Sequence, residues 1–251
     1  PVRWALFHGF LGSPAAWEPV LAHARLDSPP IAALLPGHGA NPWTPAGDFV
    51  TVIDAIAARV FDAAGGAPLA LCGYSMGARV ALSLALRHPS RVARLVLVGV
   101  TAGLRTEDER RARIDADELL ARRVERDGLA AFVAHWETLP MFETQRGLGD
   151  DVRAQRRAER SSHTAEGVAW TLRALGTGQQ PDWREAFARS EIPTVLIAGE
   201  RDAKFTNEAR ELAALRGGVR HVIARGAGHD VTLEAPAVVA RCISQTPPSS
   251  E

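Results

Sequence analysis

Leu71 to Leu82 reads LCGYSMGARVAL, and this stretch decides the fold. An apolar run over residues 69–72 leads into Gly73-Tyr74-Ser75-Met76-Gly77, and an apolar helical pattern covers residues 75–88. A serine between two glycines at a strand-to-helix junction is the nucleophile-elbow pattern. The reason is steric. So sharp a turn strains the serine backbone and lifts its hydroxyl above the sheet. The strand and helix backbones then approach too closely for side chains at the flanking positions. The helix that follows aims its N–H groups and partial positive charge at the same spot.

Further apolar runs flank this stretch at residues 2–7, 31–35, 95–100, 194–198 and 219–223. They are continuous rather than alternating, as parallel strands covered on both faces require. Helical patterns at residues 14–24, 49–64, 207–215 and 235–243 separate most of them. The alternation predicts an α/β fold, a mainly parallel sheet flanked by helices with right-handed crossovers. From residue 102 to about 190 no strand pattern occurs. The segment is helical in pattern, rich in Arg and Glu, and carries Trp136, Trp170 and Trp183. That is too long for a plain loop. It reads as a helical cap (102–190) over the C-terminal edge of a core made of residues 1–101 and 191–251, where ligands bind in open α/β sheets.

Composition narrows the function. The chain has 251 residues, 46% apolar and 23% charged, with zero formal net charge. Zero charge argues against nucleic-acid binding and against a polybasic membrane partner. No apolar run approaches the ~20 residues that cross a bilayer, so no membrane insertion is expected, and no leader is read before the first strand. Cys72 and Cys242 have neither metal-ligand nor disulfide-framework spacing, which points to free thiols and a cytoplasmic setting. No motif calls for a cofactor or metal. The tail TPPSSE reads as frayed.

A serine hydroxyl needs an imidazole to become a nucleophile or base. On this fold the partners follow in the order Ser, acid, His. His229, in GAGHD, and Asp202, in GERDAKF, both fall in loops after strands. Glu200 and His221 are their rivals, but His221 sits inside a strand pattern, and Asp230 is expected to point elsewhere. The oxyanion hole should combine the N–H of Met76 with that of Phe10 in FHGFLGS. His8 reads as a prop for that loop, and His38 in LPGHG as structural.

Arg79 follows Ser75 by four residues, so the two share a helix face. Its neighbours are apolar, and a buried guanidinium needs a partner. That partner is either a structural acid or a substrate carboxylate, which Arg suits through paired hydrogen bonds.

FHGFLGS, LPGHG, GYSMGAR, AGLRTEDERRAR, FVAHWETLPMF, LRALGTGQQPDW, GERDAKF and GAGH together resemble the 2-succinyl-6-hydroxy-2,4-cyclohexadiene-1-carboxylate synthase (MenH) family of the α/β-hydrolase fold. The likeness runs from about Leu6 to His229. It implies a lyase step in menaquinone biosynthesis: pyruvate is eliminated from 2-succinyl-5-enolpyruvyl-6-hydroxy-3-cyclohexene-1-carboxylate. Ser75, supported by His229 and Asp202, would abstract a ring proton. The resemblance implies that arginines hold the carboxylates of this small polycarboxylate, Arg79 among them. It carries Tyr74, Arg113, Trp136, Arg160 and Lys204 over as substrate-binding positions. Arg110 and Arg111 remain rivals of Arg113, and Arg156 and Arg157 of Arg160. Between Leu104 and Arg160 twelve arginines face thirteen acids, so only arginines that face the pocket could matter. Ala78 stands where a glycine is frequent, and the antiparallel hairpin that opens many α/β-hydrolases is expected to be shortened or absent. The competing reading is a serine esterase or C–C bond hydrolase of the same fold acting on acidic substrates.

Overall fold

The computed structural model describes residues 2–244. The tail expected to fray, residues 246–251, lies outside the described residues.

Six strands form one parallel sheet in the order β2-β1-β3-β4-β5-β6. They are β1 (Trp4–Phe7), β2 (Ile31–Ala33), β3 (Leu69–Tyr74), β4 (Val92–Val98), β5 (Thr194–Gly199) and β6 (Arg220–Ala224). β1 pairs with β2 on one side and β3 on the other, Phe7 opposite Ala33 and Gly73. The winding direction reverses at β1, which opens a crevice beyond the C-terminal ends of β1 and β3.

Side chains alternate across each strand. Ala5, Phe7, Leu69 and Leu71 pack on one face, and Trp4, Leu6, Ala70 and Cys72 on the other. The first face is covered by α2 (Phe49–Ala63), α3 (Met76–Arg87) and α9 (Ala203–Ala214). The second is covered by α1 (Glu18–Leu21) and α11 (Pro236–Ser244), the latter preceded by the single turn α10 (Val231–Glu234). Between β4 and β5 the chain forms α4 (Glu107–Asp127), α5 (Leu129–Trp136), α6 (Asp150–Arg160), α7 (Ala165–Leu175) and α8 (Arg184–Arg189). This insertion has its own core of Ala121, Val124, Phe132, Val133, Val168, Ala169 and Leu172, joined by Leu11 from the loop after β1.

Local chemistry moves some boundaries from those the sequence suggested. The helix expected over 14–24 splits into a 3-10 turn, Pro14–Trp17, and α1. Pro19 lacks the N–H that a continuous ladder needs there. α9 begins at Ala203 rather than 207 because Asp202 caps it, its side chain accepting from the Phe205 N–H (3.3 Å). α4 starts sharply at a capping box in which Thr106 and Glu109 exchange hydrogen bonds. Among the described residues no helix is long and apolar enough to cross a membrane.

Candidate active site

Ser75 sits at φ 53°, ψ −113°, between the end of β3 and the first residue of α3. Few non-glycine residues adopt this backbone, and the strain presents the side chain above the sheet. The two flanking glycines are there for space. A Cβ on Gly73 would lie 2.2 Å from the Gly77 carbonyl oxygen, and one on Gly77 would lie 2.0 Å from that of Phe7.

The Ser75 hydroxyl lies 2.9 Å from His229 Nε2, and His229 Nδ1 lies 2.6 Å from Asp202 Oδ2. Asp202 therefore caps α9 with one oxygen and holds the imidazole with the other. His229 is 1% exposed and lies between the rings of Tyr74 and Phe205, at 5.4 and 4.5 Å. Such packing leaves the imidazole one orientation, with Nδ1 on the carboxylate and Nε2 on the serine. Neither rival reaches the relay. Glu200 accepts from the Gly226 N–H (2.8 Å), and His221 lies within β6.

The loop after β1 supplies the opposite wall. Leu11 is held at φ 59°, its N–H donating to His38 Nε2 (3.2 Å). His8 Nε2 accepts from the Leu35 N–H (3.0 Å) and its Nδ1 faces the Gly9 carbonyl (2.8 Å). Both histidines thus brace the segment that carries Phe10. Phe10 lines the pocket beside Ser75. Met76 is the first residue of α3, so its N–H has no partner within the helix and is available to an oxyanion.

The pocket that contains Ser75 and His229 is also walled by Tyr74, Trp136, Met141, Phe142, Arg156 and Arg160. Its volume is about 30 Å³, well below the roughly 300–1,000 Å³ of a typical small-molecule site. Arg160 is 5% exposed; it donates to Glu137 Oε1 and Gln145 Oε1 (3.1 Å each) and lies over the Phe142 ring. Burial, then the charge of Asp230, pushes the Tyr74 phenol well above its ordinary range, so it stays protonated.

The sequence underrated two of these residues. Arg156 stood only as a rival of Arg160, yet both line the pocket. Asp230 was expected to point elsewhere, yet it also lines the pocket and pairs with Arg156 (3.2 Å). Arg156 in addition donates to Glu159 (2.6 Å), which accepts from the N–H and hydroxyl of Ser13 in the β1 loop (2.9 and 2.7 Å). No periodicity could have placed these residues, because the contacts join α6, the β1 loop and the residue after His229.

Arg79, Arg113 and Lys204 do not line this pocket. Arg79 is buried and donates to the Leu175 carbonyl (2.8 Å) and to Gln180 Oε1 (3.5 Å), at the C-terminal end of α7 and just beyond it. Burial, then the neighbouring Arg113 charge, pulls the Arg79 guanidinium down to about 10. Arg113 donates to Asp117 Oδ1 (2.9 Å), and burial pushes the Asp117 carboxyl upward although Arg113 opposes the shift. Lys204 is exposed, its ammonium 5.2 Å from the Phe205 ring. Among the described residues no group of three or more His, Cys, Asp or Glu is arranged to hold a metal ion.

The family model for the alpha/beta hydrolase fold matches residues 6–236. The chain is 34% identical over 246 residues to the 2-succinyl-6-hydroxy-2,4-cyclohexadiene-1-carboxylate synthase of Enterobacter sp. (strain 638), covering 96% of this chain and 90% of that one. A solved structure of MenH from S. aureus superposes with a TM-score of 0.90 at 28% identity, covering 96% of this chain and 91% of the other. A malate-bound thermophilic esterase from Thermogutta terrifontis superposes at 0.83 with 23% identity, over 97% of this chain and 88% of that one; this is a likeness of fold alone.

Proposed function

The chain belongs to the 2-succinyl-6-hydroxy-2,4-cyclohexadiene-1-carboxylate synthase family of the α/β-hydrolase fold, and on that premise we propose that it is a carbon–oxygen lyase of menaquinone biosynthesis. It takes 2-succinyl-5-enolpyruvyl-6-hydroxy-3-cyclohexene-1-carboxylate and eliminates pyruvate. The work is cytoplasmic, and the ligand is a small polycarboxylate.

Ser75 Oγ is the base. It removes a ring proton while its own hydroxyl proton passes to His229 Nε2, and Asp202 balances the imidazolium through Nδ1. The electron pair of the broken C–H bond, at the ring carbon that carries the succinyl group, first delocalises onto the succinyl carbonyl oxygen. The N–H groups of Phe10 and Met76 hold the charge that develops on the succinyl carbonyl oxygen. When that pair returns it forms the C2–C3 double bond, the C3–C4 double bond shifts to C4–C5 and the C5–O bond to the enolpyruvyl group breaks; the departing enolate takes a proton from the His229 imidazolium and becomes pyruvate, which restores the neutral imidazole. Tyr74, Trp136 and Arg160, already in the pocket wall, contact the substrate directly. Arg79, Arg113 and Lys204, which the family resemblance carries over as substrate-binding positions, do not line this pocket, so their part in holding a carboxylate rests on that resemblance alone. A pocket of about 30 Å³ must open before any such molecule enters.

The observation that carries this reading is the hydrogen-bonded Ser75–His229–Asp202 relay enclosed by buried arginine and aromatic side chains. The test is release of pyruvate, followed by a coupled assay with the upstream enzymes supplying substrate. The same relay could instead form an acyl-enzyme, as an esterase or C–C bond hydrolase does. Failure to release pyruvate, together with a burst of acyl-enzyme on an activated ester, decides for that alternative.

A further inference from the structure

His229 reaches the relay from a short loop that is anchored on both sides. Upstream, the Ala227 carbonyl accepts from the N–H of Arg201 (2.9 Å), the neighbour of Asp202 in the loop after β5. Downstream, the chain turns at once into α10, where the Glu234 N–H donates to the Asp230 carbonyl (2.8 Å). Gly228 and His229 lie between these anchors. The rings of Tyr74 and Phe205 set how the imidazole is turned, but not how far its backbone stands from Ser75.

Glu234 closes that gap. Its Oε2 accepts from the Gly228 N–H (2.8 Å), so the last residue of α10 holds the residue just before His229. Residues 228–234 thus form a closed ring from which the imidazole projects. Gly228 is buried, so water does not replace the carboxylate as partner of its N–H. The space around it is fixed as well: a Cβ on Gly228 would lie 2.2 Å from Thr144 Oγ1. Glu234 itself is half-buried and forms no ion pair among the described residues. Burial pushes its carboxyl above the ordinary range, while the Gly228 N–H pulls it back. An acid kept there without a counter-charge is costly, and the bond to Gly228 is the contact it makes toward the relay. Glu234 does not line the Ser75 pocket, so it acts through His229 and not on a ligand.

We infer that Glu234 is a positioning residue for His229: by fixing the Gly228 N–H it sets where the imidazole stands over Ser75. The inference rests on the proposed reaction in one respect, that the relay limits turnover. The 2.9 Å between His229 Nε2 and the Ser75 hydroxyl lies within the narrow range that proton transfer needs. A misplacement of about 1 Å costs on the order of a hundredfold in rate.

Three substitutions separate reach from charge. Glu234→Gln keeps an acceptor oxygen at the same reach and loses the charge. Glu234→Asp keeps the charge and withdraws the oxygen by one methylene. Glu234→Met keeps the bulk and has no oxygen. With enzymatically supplied substrate, kcat for pyruvate release should stay within about threefold of wild type in the Gln variant. It should fall by about a hundredfold in the Asp and Met variants, at unchanged KM. Each is measured well below its melting temperature, so lost stability alone leaves kcat unmoved. If the Met variant does not fold, the Gln and Asp variants decide. The readout that needs no substrate is the proton between His229 Nδ1 and Asp202, a downfield line in the proton NMR spectrum. It should persist in the Gln variant and shift or broaden in the Asp variant. Equal kcat in all the proteins, or a hundredfold loss in the Gln variant, overturns the inference: the first leaves Glu234 as a brace for α10, and the second makes its charge the active property. An NMR line that follows reach, in proteins that release no pyruvate, refutes the reaction and leaves the positioning role.

Discussion

Arg156 on α6 donates across to Asp230, the residue that follows His229 in the chain, at 3.2 Å. Asp230 in turn caps α10, its Oδ1 accepting from the Leu233 N–H and the Thr232 hydroxyl. Through Glu159 the same arginine reaches Ser13, three residues beyond Phe10. One guanidinium therefore ties the insertion to both loops that flank Ser75. Its side chain and that of Asp230 are 10% and 3% exposed, so water does little to replace the pair.

Removing Arg156 should cost more than neutralising Asp230. Arg156→Ala leaves two carboxylates buried and unpaired, which costs about 3–5 kcal/mol. Asp230→Asn keeps an oxygen for the α10 cap and leaves Arg156 its Glu159 partner, so its cost should be about 1 kcal/mol. Urea denaturation measures both. Equal destabilisation by the two variants would mean that Arg156 is solvated rather than a clasp.

Ser75→Ala should lower kcat by about three or more orders of magnitude with an unchanged melting temperature. Adding His229→Ala to that variant should lose little more, because the members of such a relay act as a unit. Full activity in Ser75→Ala, read by pyruvate release, would remove the relay from the chemistry.

How much of this was legible in the sequence follows from the range of the forces involved. The six strands, the elbow and the order Ser75, Asp202, His229 come from local periodicity and from steric demands that only glycine meets. Gly77 is a clear case, since any side chain there would strike the Phe7 carbonyl. Asp202 was readable because it follows a strand and precedes a helix, two local signals in one loop. Arg79 was only half readable. Spacing put it on the serine's helix face and apolar neighbours made it buried, but its bonds to Leu175 and Gln180 depend on how the insertion docks. Arg156 and Asp230 were misjudged for the same reason: their contacts span 74 positions of chain, and composition carries no trace of them.

Arg79→Ala should lower both stability and turnover. The guanidinium stays charged at neutral pH, since burial brings it only to about 10. Its loss frees the Leu175 carbonyl and Gln180 at the junction between α3 and the insertion, a cost of about 1–3 kcal/mol. If Arg79 also binds a substrate carboxylate, kcat/KM should fall by more than about tenfold at temperatures where the variant is fully folded. Normal kcat/KM in folded protein would leave Arg79 as a brace alone.

Acid should loosen the β1 loop and the insertion together, through three packed imidazoles. His8, His38 and His163 lie edge to edge, with ring centroids 4.8 and 5.0 Å apart. Burial is the main cause that lowers all three, His8 to about 4. Each serves as a neutral acceptor, His8 for Leu35, His38 for Leu11 and His163 for Gly39. Between pH 6.5, where an unfolded histidine titrates, and about 4, the unfolded chain binds protons that the folded chain refuses. Unfolding free energy therefore rises with pH across this window and is lost as pH falls through it, by about 1.4 kcal/mol per unit for each such proton. The urea midpoint should fall between pH 7.5 and 5.0, and His163→Gln should flatten the slope. The same midpoint at both values, with the wild-type slope retained in the variant, would show that these rings are free to take up protons in the folded chain.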